Sequence, residues 1–178
     1  LGTGWLGLPL AKRFSSNQYF VKVSTRTASR LSTLKSLQLN PSLIDLESMP
    51  LTKQEFDFFD SDILIINIPH KDLSNFQKLV RTIEQSGIKK VLFVSSTSVY
   101  ENCNKIINEF DGLELESSPL RKIEKLFINN KHFKSIIVRF SGLFGNSRNP
   151  ANFFRNGKKV QQANSPVNMI HLSDCLYI

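Results

Sequence analysis

The sequence predicts an α/β fold, in which a parallel sheet carries helices on both of its faces. Short aliphatic and β-branched runs alternate with segments whose apolar residues recur every three or four positions, as in repeated strand–helix units. One run, Asp62–Ile68, is almost continuous in isoleucine and leucine. Such a run is typical of a strand that is buried on both faces at the centre of a parallel sheet.

The predicted elements follow in order along the chain. Trp5–Ser15 is predicted to be a helix because Leu6, Leu10 and Phe14 share one face. Pro9 lies near its start, where a proline is tolerated. Strands are predicted at 20–25, 43–46, 62–68, 91–94 and 135–140. Further helices are predicted through 31–37, from 73 to 83 with Gly87 as its stop, and over 119–129.

Composition indicates an ordinary globular protein, with 40% hydrophobic and 21% charged residues among 178. No apolar run approaches the roughly 18 residues of a membrane span, so we expect no membrane association and a cytoplasmic location. Cys103 and Cys175 are too few and too far apart to predict a disulfide framework or a metal site. The net charge of +8 is spread over short clusters. It favours phosphate-bearing ligands, with nucleic-acid binding as the minor alternative.

The most informative sequence feature is a glycine pattern close to the start of the chain. Gly2, Thr3, Gly4, Trp5, Leu6 and Gly7 match G-x-G-x-x-G and lead directly into the first predicted helix. In dinucleotide-binding turns the first glycine makes a tight turn, the second lets the pyrophosphate approach and the third allows close helix packing. The phosphates then lie on free N–H groups at the helix N-terminus. The alternative is a plain strand–helix turn without a ligand.

A change of composition after Ser141 divides the predicted organisation of the chain in two. We expect residues 1–140 to form a Rossmann-type, doubly wound NAD(P)-binding domain. Residues 141–178, rich in glycine, asparagine, serine and basic residues, would begin a loop-rich substrate-side region. The chain lacks a starting methionine, and the turn comes without the full strand that normally precedes it. We therefore expect a piece of a longer protein, truncated at both ends.

The end of the second predicted strand favours NADP(H) over NAD(H). NAD sites usually carry a carboxylate there, but the sequence is Val23–Thr27 with Thr25 and Arg26 and no acidic residue. A guanidinium beside small hydroxyl groups matches a ribose 2′-phosphate in charge and geometry. The alternative is that Arg26 is a solvated loop residue.

Polar groups follow two later strands, at the edge where open α/β sheets bind ligands. Asn67, Ile68 and Pro69 end one strand and are predicted to contact the cofactor, and His70 could face the same crevice. Ser95 opens a cluster of hydroxyl side chains, 95–98, that runs to Tyr100. We expect Ser95 to contact the cofactor as well.

Four segments in order resemble the extended and atypical short-chain dehydrogenase/reductases, the NAD-dependent epimerase/dehydratase group. The segments are Leu1–Leu10, Leu92–Tyr100, Val138–Gly145 and Val167–Asp174, and they span essentially the whole chain. The resemblance implies that Ser96 polarises the substrate oxygen, with Thr97 beside it. It also implies that Arg139–Gly145 shape the substrate side, which Arg148, Asn149 and His171 would complete, with Asn146 and Asp174 nearby.

The chain departs from this family in its catalytic pair. The resemblance implies a tyrosine followed four residues later by a lysine within Glu116–Lys125, and that segment contains no tyrosine. Aligning on Ser118–Pro119 places Leu120 and Glu124 at the two positions. Aligning on Glu124–Leu126 places Glu116 and Leu120 there instead.

Two functions therefore stay open from the sequence. One is an NAD(P)-dependent oxidoreductase or sugar-nucleotide-like epimerase without the usual pair, acting on a small molecule that bears a sugar or phosphate group. The other is a non-catalytic NADP-binding sensor or partner-binding protein. A homodimer is left open.

Overall fold

The chain forms two compact units, Leu1–Arg139 and Phe140–Ile178. The computed structural model describes residues 1–48, 51–103, 105–157 and 164–178. The described helices are α1 Gly7–Ser16, α2 Arg30–Ser36, α3 Lys53–Phe56, α4 Leu73–Glu84, α5 Pro119–Ile128 and α6 Leu172–Cys175. The described strands are β1 Lys22–Thr25, β2 Asn40–Leu43, β3 Ile63–Ile66, β4 Lys90–Ser96, β5 Lys134–Phe140, β6 Gly142–Phe144 and β7 Met169–His171.

The strands of the first unit are arranged around its opening residues. β1 and β2 pair in parallel, and so do β3 and β4, with β5 on the far side of β4. The backbone of Leu1 is hydrogen-bonded to Ile65 and Asn67 on the β3 side, and Gly2 and Thr3 bond to Ser24 of β1. From one side to the other, the elements of this unit therefore lie in the order β2, β1, residues 1 to 3, β3, β4 and β5. The predicted α/β class with parallel pairing is confirmed.

The main core joins α4, β4 and α5 through three buried phenylalanines. Phe93 of β4 stacks on Phe127 of α5 with ring centroids 5.0 Å apart. Phe76 of α4 meets the edge of Phe93 at 5.5 Å. All three are at most 1% exposed. Edge-to-face and offset aromatic contacts add to the burial of apolar area, so this trio fixes both helices against the central strand. A smaller core joins α1, β1 and α2 through Ala11, Val23, Leu34 and Leu39.

Helix starts follow local sequence signals. Asp72 accepts a hydrogen bond from the Asn75 N–H and caps α4 at 2.8 Å. Ser118 accepts from the Arg121 N–H and caps α5, whose first residue is Pro119. Gly87 is not the stop of α4, because the helix ends at Glu84 with Gln85 as its C-cap.

The strand predicted at 43–46 lies earlier in the chain. β2 occupies Asn40–Leu43, and Leu46 opens a short 3₁₀ turn. Ile44 and Leu46 are 3% and 5% exposed, so their apolar character reflects core burial rather than strand pairing. Among the described strands β2 pairs with β1 alone, and an edge strand tolerates Pro41 because one row of N–H groups needs no partner strand.

The second unit has its own small sheet. β6 and β7 pair in parallel, with Gly142 opposite Met169. His171 ends β7 and caps α6 by accepting from the Ser173 N–H. No helix among the described residues of either unit is long and apolar enough to cross a membrane.

Replacing Phe127 with alanine tests the aromatic core. Because Phe127 is fully buried against three other rings, we expect the free energy of unfolding to fall by about 3–5 kcal/mol, measured by urea denaturation. Ile106→Ala is the matched control, since Ile106 is 101% exposed and its truncation should change stability by less than about 0.5 kcal/mol. Equal losses in the two variants would contradict this assignment of the core.

Candidate functional site

The glycine turn has the geometry that its sequence pattern requires. Gly2 has φ +96°, a left-handed conformation, and a Cβ there would collide with the Asn67 carbonyl oxygen and Ile68. A Cβ at Gly7 would overlap the carbonyl oxygen of Gly2. At Gly4, in contrast, no atom of the described residues lies within 4 Å of a Cβ position. Two glycines therefore allow close packing inside the turn, and the middle one leaves its outer side open.

Ser24 of β1 fixes the turn from one side. Its hydroxyl accepts a hydrogen bond from the Gly2 N–H at 2.8 Å, and its carbonyl accepts from the Thr3 hydroxyl at 2.9 Å. Ser24 and Thr3 are 2% and 4% exposed. Sequence reasoning missed Ser24, whose only signal was its place in a group of small hydroxyl residues before Arg26. Thr3, predicted to bind cofactor, donates its hydroxyl into the protein.

The turn lies where strand order reverses and leads into the N-terminus of α1. Neighbouring strands run to either side of residues 1–3, which makes this a topological switch point, the usual ligand site of open α/β sheets. Within the described part of the chain no side chain caps α1 at Leu6, and its first turn holds no acidic residue. The partial positive charge at the helix start is therefore not offset by an acidic side chain of its first turn.

Two arginines lie beside the turn on the β1 side. Arg26 is 65% exposed and its Nη1 is 3.9 Å from a Glu47 carboxylate oxygen, an ion pair that solvent screens. Arg30 of α2, which sequence reasoning did not single out, donates from Nη2 to the Thr3 carbonyl at 3.0 Å. The Thr25 hydroxyl accepts from the Thr27 N–H at 3.1 Å and so shapes the loop that carries Arg26.

In the hydroxyl segment, residues 95–100, one serine is bonded to a helix and the next one caps a turn. Ser95 is buried and donates to Glu124 of α5 at 2.6 Å. The Ser96 hydroxyl accepts from the Ser98 N–H at 3.1 Å and caps a 3₁₀ turn over Thr97–Val99. Ser96 and Thr97 are half-buried at the end of β4. The predicted contact of Ser95 with a cofactor stays a prediction, and its hydroxyl is bonded inside the protein.

Glu124 is the centre of a buried network. Its Oε1 accepts from Ser95 and from Arg139 Nε at 3.0 Å, and its Oε2 accepts from Arg139 Nη2 at 2.7 Å and Arg121 Nη1 at 3.2 Å. A carboxylate offers about four acceptor positions, so this one is fully used. Glu124 is 0% exposed, and such saturation is what a buried charge needs to be stable.

Arg139 extends the network to the end of the hydroxyl segment. Its Nη1 donates to the Tyr100 hydroxyl at 2.6 Å and to Glu114 at 2.7 Å. Hydrogen bonds to Glu124 raise the pKa of Arg139 above its ordinary value, against the opposing effect of burial. Burial would raise the pKa of Glu114, but the hydrogen bond and charge of Arg139 outweigh it, so that this pKa is lowered.

Neither alignment of the family's catalytic pair places a phenol or an ammonium group here. Leu120 is 8% exposed and belongs to the core, and Glu124 is committed to Arg139 and Ser95. Glu116 is exposed and pairs with Lys125 and with Arg121, whose Nη1 also binds Glu124. The tyrosine–lysine pair is thus replaced by apolar burial and paired charges.

The residues after β3 lie close to the turn. The side-chain amide of Asn67 is 3.1 Å from the Cβ position of Gly7, so Asn67 packs against the base of α1. His70 Nε2 is 3.0 Å from Asn75 Nδ2. This distance makes Asn75 of α4 a hydrogen-bonding partner of the His70 ring. Ile68 borders Gly2, and Pro69 follows it along the same edge.

The second unit holds the predicted substrate residues in one turn and the strand beside it. Gly145 and Arg148 exchange backbone hydrogen bonds around Asn146, which has φ +47°. The His171 ring packs over Gly145, where a Cβ would lie 2.6 Å from Nε2. His171 Nδ1 is 2.7 Å from the Ser173 hydroxyl, which also contacts Asp174. Asn149 caps its own turn through the Ala151 N–H. The substrate role of these residues stays a prediction.

Comparison with known proteins adds a relative. No protein-family model matches the sequence. Protein YeeZ of Escherichia coli K12 is 30% identical over 198 residues, which covers 99% of this chain and 69% of YeeZ. This chain belongs to the YeeZ family. YeeZ of E. coli O157:H7 matches with the same identity and coverage.

Solved structures with a similar fold identify the fold of this YeeZ-family chain. MoeE5, solved with UDP-glucose and NAD, matches with a TM-score of 0.73 at 20% identity, over 98% of this chain and 67% of MoeE5. The UDP-glucuronic acid 4-epimerase of Bacillus cereus, solved with UDP-glucuronic acid and NAD, gives 0.74 at 18% identity, over 98% and 68%. The chain therefore has the Rossmann-like fold of these NAD-binding proteins, and the predicted resemblance to the epimerase/dehydratase group is confirmed at the level of the fold.

Removing the Glu114 carboxylate tests the buried network by its pH dependence. The pKa of Glu114 is lower in the folded protein than its ordinary value of 4.5, so ionised Glu114 stabilises the folded state. This stabilisation is fully present above pH 4.5 and is lost as the pH falls through the lower, folded-state pKa. We expect Glu114→Gln to be less stable than the parent at pH 7 and to lose less stability on acidification. Thermal unfolding between neutral and acid pH measures both.

Glu116→Gln is the matched control for that measurement. Hydrogen bonding to Lys125 lowers the pKa of Glu116, but its carboxylate is exposed. Its contribution should therefore disappear in about 1 M salt, whereas that of Glu114 should persist. Equal salt sensitivity of the two variants would show that Glu114 is not part of a buried network.

Proposed function

We propose that this chain binds a pyridine dinucleotide across the glycine turn. The observation that carries the proposal is the contrast between the three glycines: two are packed too closely for any side chain, and Gly4 is open on its outer side. A pyrophosphate needs that backbone approach and the N-terminus of α1 behind it. The fold supports the proposal, since MoeE5 and the B. cereus epimerase, which share it, have been solved with NAD and a nucleotide sugar.

The first candidate activity is that of an oxidoreductase or epimerase acting on a sugar-nucleotide-like molecule. When bound, the dinucleotide supplies hydride transfer. Ser96 and Thr97, at the end of β4, supply hydroxyl groups that can hold a substrate oxygen. Arg148, Asn149 and His171 of the second unit are also proposed as substrate-binding residues. A cytoplasmic location belongs to the same proposal, and a homodimer is compatible with it.

The second candidate is a non-catalytic NAD(P)-binding sensor or partner-binding protein. The specific observation in its favour is the buried network, which occupies the region of the missing pair with charges that neutralise each other. Without a phenol and an ammonium group, the proton that accompanies hydride transfer lacks its usual donor. Steady NADPH or NADH consumption with a panel of carbonyl compounds and nucleotide sugars would decide for the first candidate. Binding that shifts stability without consumption would decide for the second.

Gly4→Val tests the binding proposal. A side chain at Gly4 meets open space, so the variant should fold, but it would fill the path of the pyrophosphate. We expect the Kd for dinucleotides to rise by at least about tenfold, measured by calorimetry with NAD+, NADH, NADP+ and NADPH. Gly87→Val is the matched control, because Gly87 also has open space around its Cβ position and should leave binding unchanged. Unaltered binding by Gly4→Val would overturn the proposed site.

Removing the charge of Arg26, two residues after Ser24, tests whether NADP(H) is preferred over NAD(H). We propose that NADP(H) is preferred, because Arg26 and Arg30 lie on the side of the turn that takes the adenosine ribose. Arg26→Ala should weaken NADPH binding about tenfold or more and leave NADH within about twofold. Glu47→Gln releases Arg26 and should strengthen NADPH binding. Tighter binding of NADH than NADPH to the parent protein would contradict the preference.

A further inference from the structure

The geometry points to Glu124 as a positioning residue for the nicotinamide half of the dinucleotide. We infer that Glu124, acting through Ser95, holds the hydroxyl segment 95–100 in the orientation that receives this half. The inference rests on the proposed dinucleotide binding and extends it to a residue that touches neither cofactor nor substrate.

β4 is oriented so that Ser95 faces α5. Phe93 and Ser95 point to the same face of the strand, where Phe93 stacks on Phe127 and Ser95 donates to Glu124, both on α5. Successive side chains of a strand alternate between faces, so Ser96 is directed away from α5. The hydrogen bond at Ser95 therefore decides which way the end of β4 presents Ser96.

The hydroxyl segment is held at both ends by one ion pair. Ser95 is bonded to Glu124 at 2.6 Å, and Tyr100 is bonded to Arg139 at 2.6 Å, while Arg139 and Glu124 bind each other through two hydrogen bonds. The backbone adds a third connection, because Leu115 donates to the Val99 carbonyl at 2.8 Å. A six-residue segment fixed in this way has little freedom to rotate its hydroxyl groups.

A dinucleotide bound at the turn would extend towards the hydroxyl segment. With the pyrophosphate at the turn, the adenosine ribose lies towards the end of β1. The other half then extends towards β3 and β4. Ile66 of β3 is opposite Phe93 of β4, so the residues that follow β3 and the hydroxyl segment end at the same edge of the sheet. ADP-ribose lacks nicotinamide and should therefore depend on the segment much less than a complete dinucleotide does.

The experiment measures Kd for ADP-ribose and for NADH or NADPH, whichever binds the parent protein more tightly, by calorimetry. Ser95→Ala removes one hydroxyl and leaves the Glu124–Arg139 pair in place. We expect its affinity for ADP-ribose to stay within about twofold and its affinity for the dinucleotide to fall between about threefold and tenfold. Ser95→Thr retains a hydroxyl and should restore the affinity of the parent.

Glu124→Gln tests the same idea from the helix. The amide keeps the shape of the side chain but offers a donor where a guanidinium also donates, so it should show the same selective loss, or a larger one. Glu116→Gln alters exposed ion pairs with Lys125 and Arg121 but leaves all four hydrogen bonds of Glu124 in place, so it is the matched control and should change neither affinity. If Glu124→Gln fails to fold, Ser95→Ala and Ser95→Thr decide the question.

The outcomes separate this inference from the proposed function. Parent protein that binds neither ligand overturns the dinucleotide proposal, and the inference with it. Parent protein that binds both while Ser95→Ala loses the two affinities equally, or loses neither, overturns only the positioning role. A purely structural role of the network would lower the melting temperature without changing the ratio of the two affinities.

Discussion

The close contact between Gly2 and Gly7 is the constraint on which the arrangement of this site depends. The first helix can start where it does because the carbonyl oxygen of Gly2 takes the space of a side chain at position 7. Ser24 and Asn67 then approach the same turn from β1 and from the end of β3. A helix start, two strand ends and an open middle glycine are thereby brought to one point. Each of these features is a property of the backbone.

A second constraint acts at the end of β4 and depends on side chains instead. Burying Glu124 removes its hydration, and only the four donors around it offset that loss. Removing one partner would leave a buried charge unbalanced, so the members of this network depend on one another. The same interactions connect α5, β5 and the hydroxyl segment. The network is thus an electrically balanced connection, with two arginines bound to two glutamates.

The sequence predicted the first constraint well and the second one poorly. The glycine turn and its helix are local, so a spacing of six residues was sufficient to find them, and the continuous run Asp62–Ile68 marked a central strand. The network joins side chains 15 and 29 positions apart on three elements, and no periodic pattern records which of them meet. Ser95 illustrates the limit: its place at a strand end gave no sign that its hydroxyl donates to Glu124 of α5. The strand predicted at 43–46 was misplaced because core burial and strand pairing leave the same apolar signal.

These two constraints fail independently, and that separation explains how one fold can support both proposed functions. Holding a pyrophosphate needs N–H groups, a helix start and space beside Gly4, none of which depends on the residues of α5. Moving a proton needs specific side chains at fixed positions, so a few substitutions at those positions are enough to abolish it. A chain can therefore lose its acid–base pair while its dinucleotide turn stays intact. For such a chain the affinity for the ADP-ribose half of the cofactor and the rate of turnover report on different parts of the molecule, and the absence of one does not argue against the other.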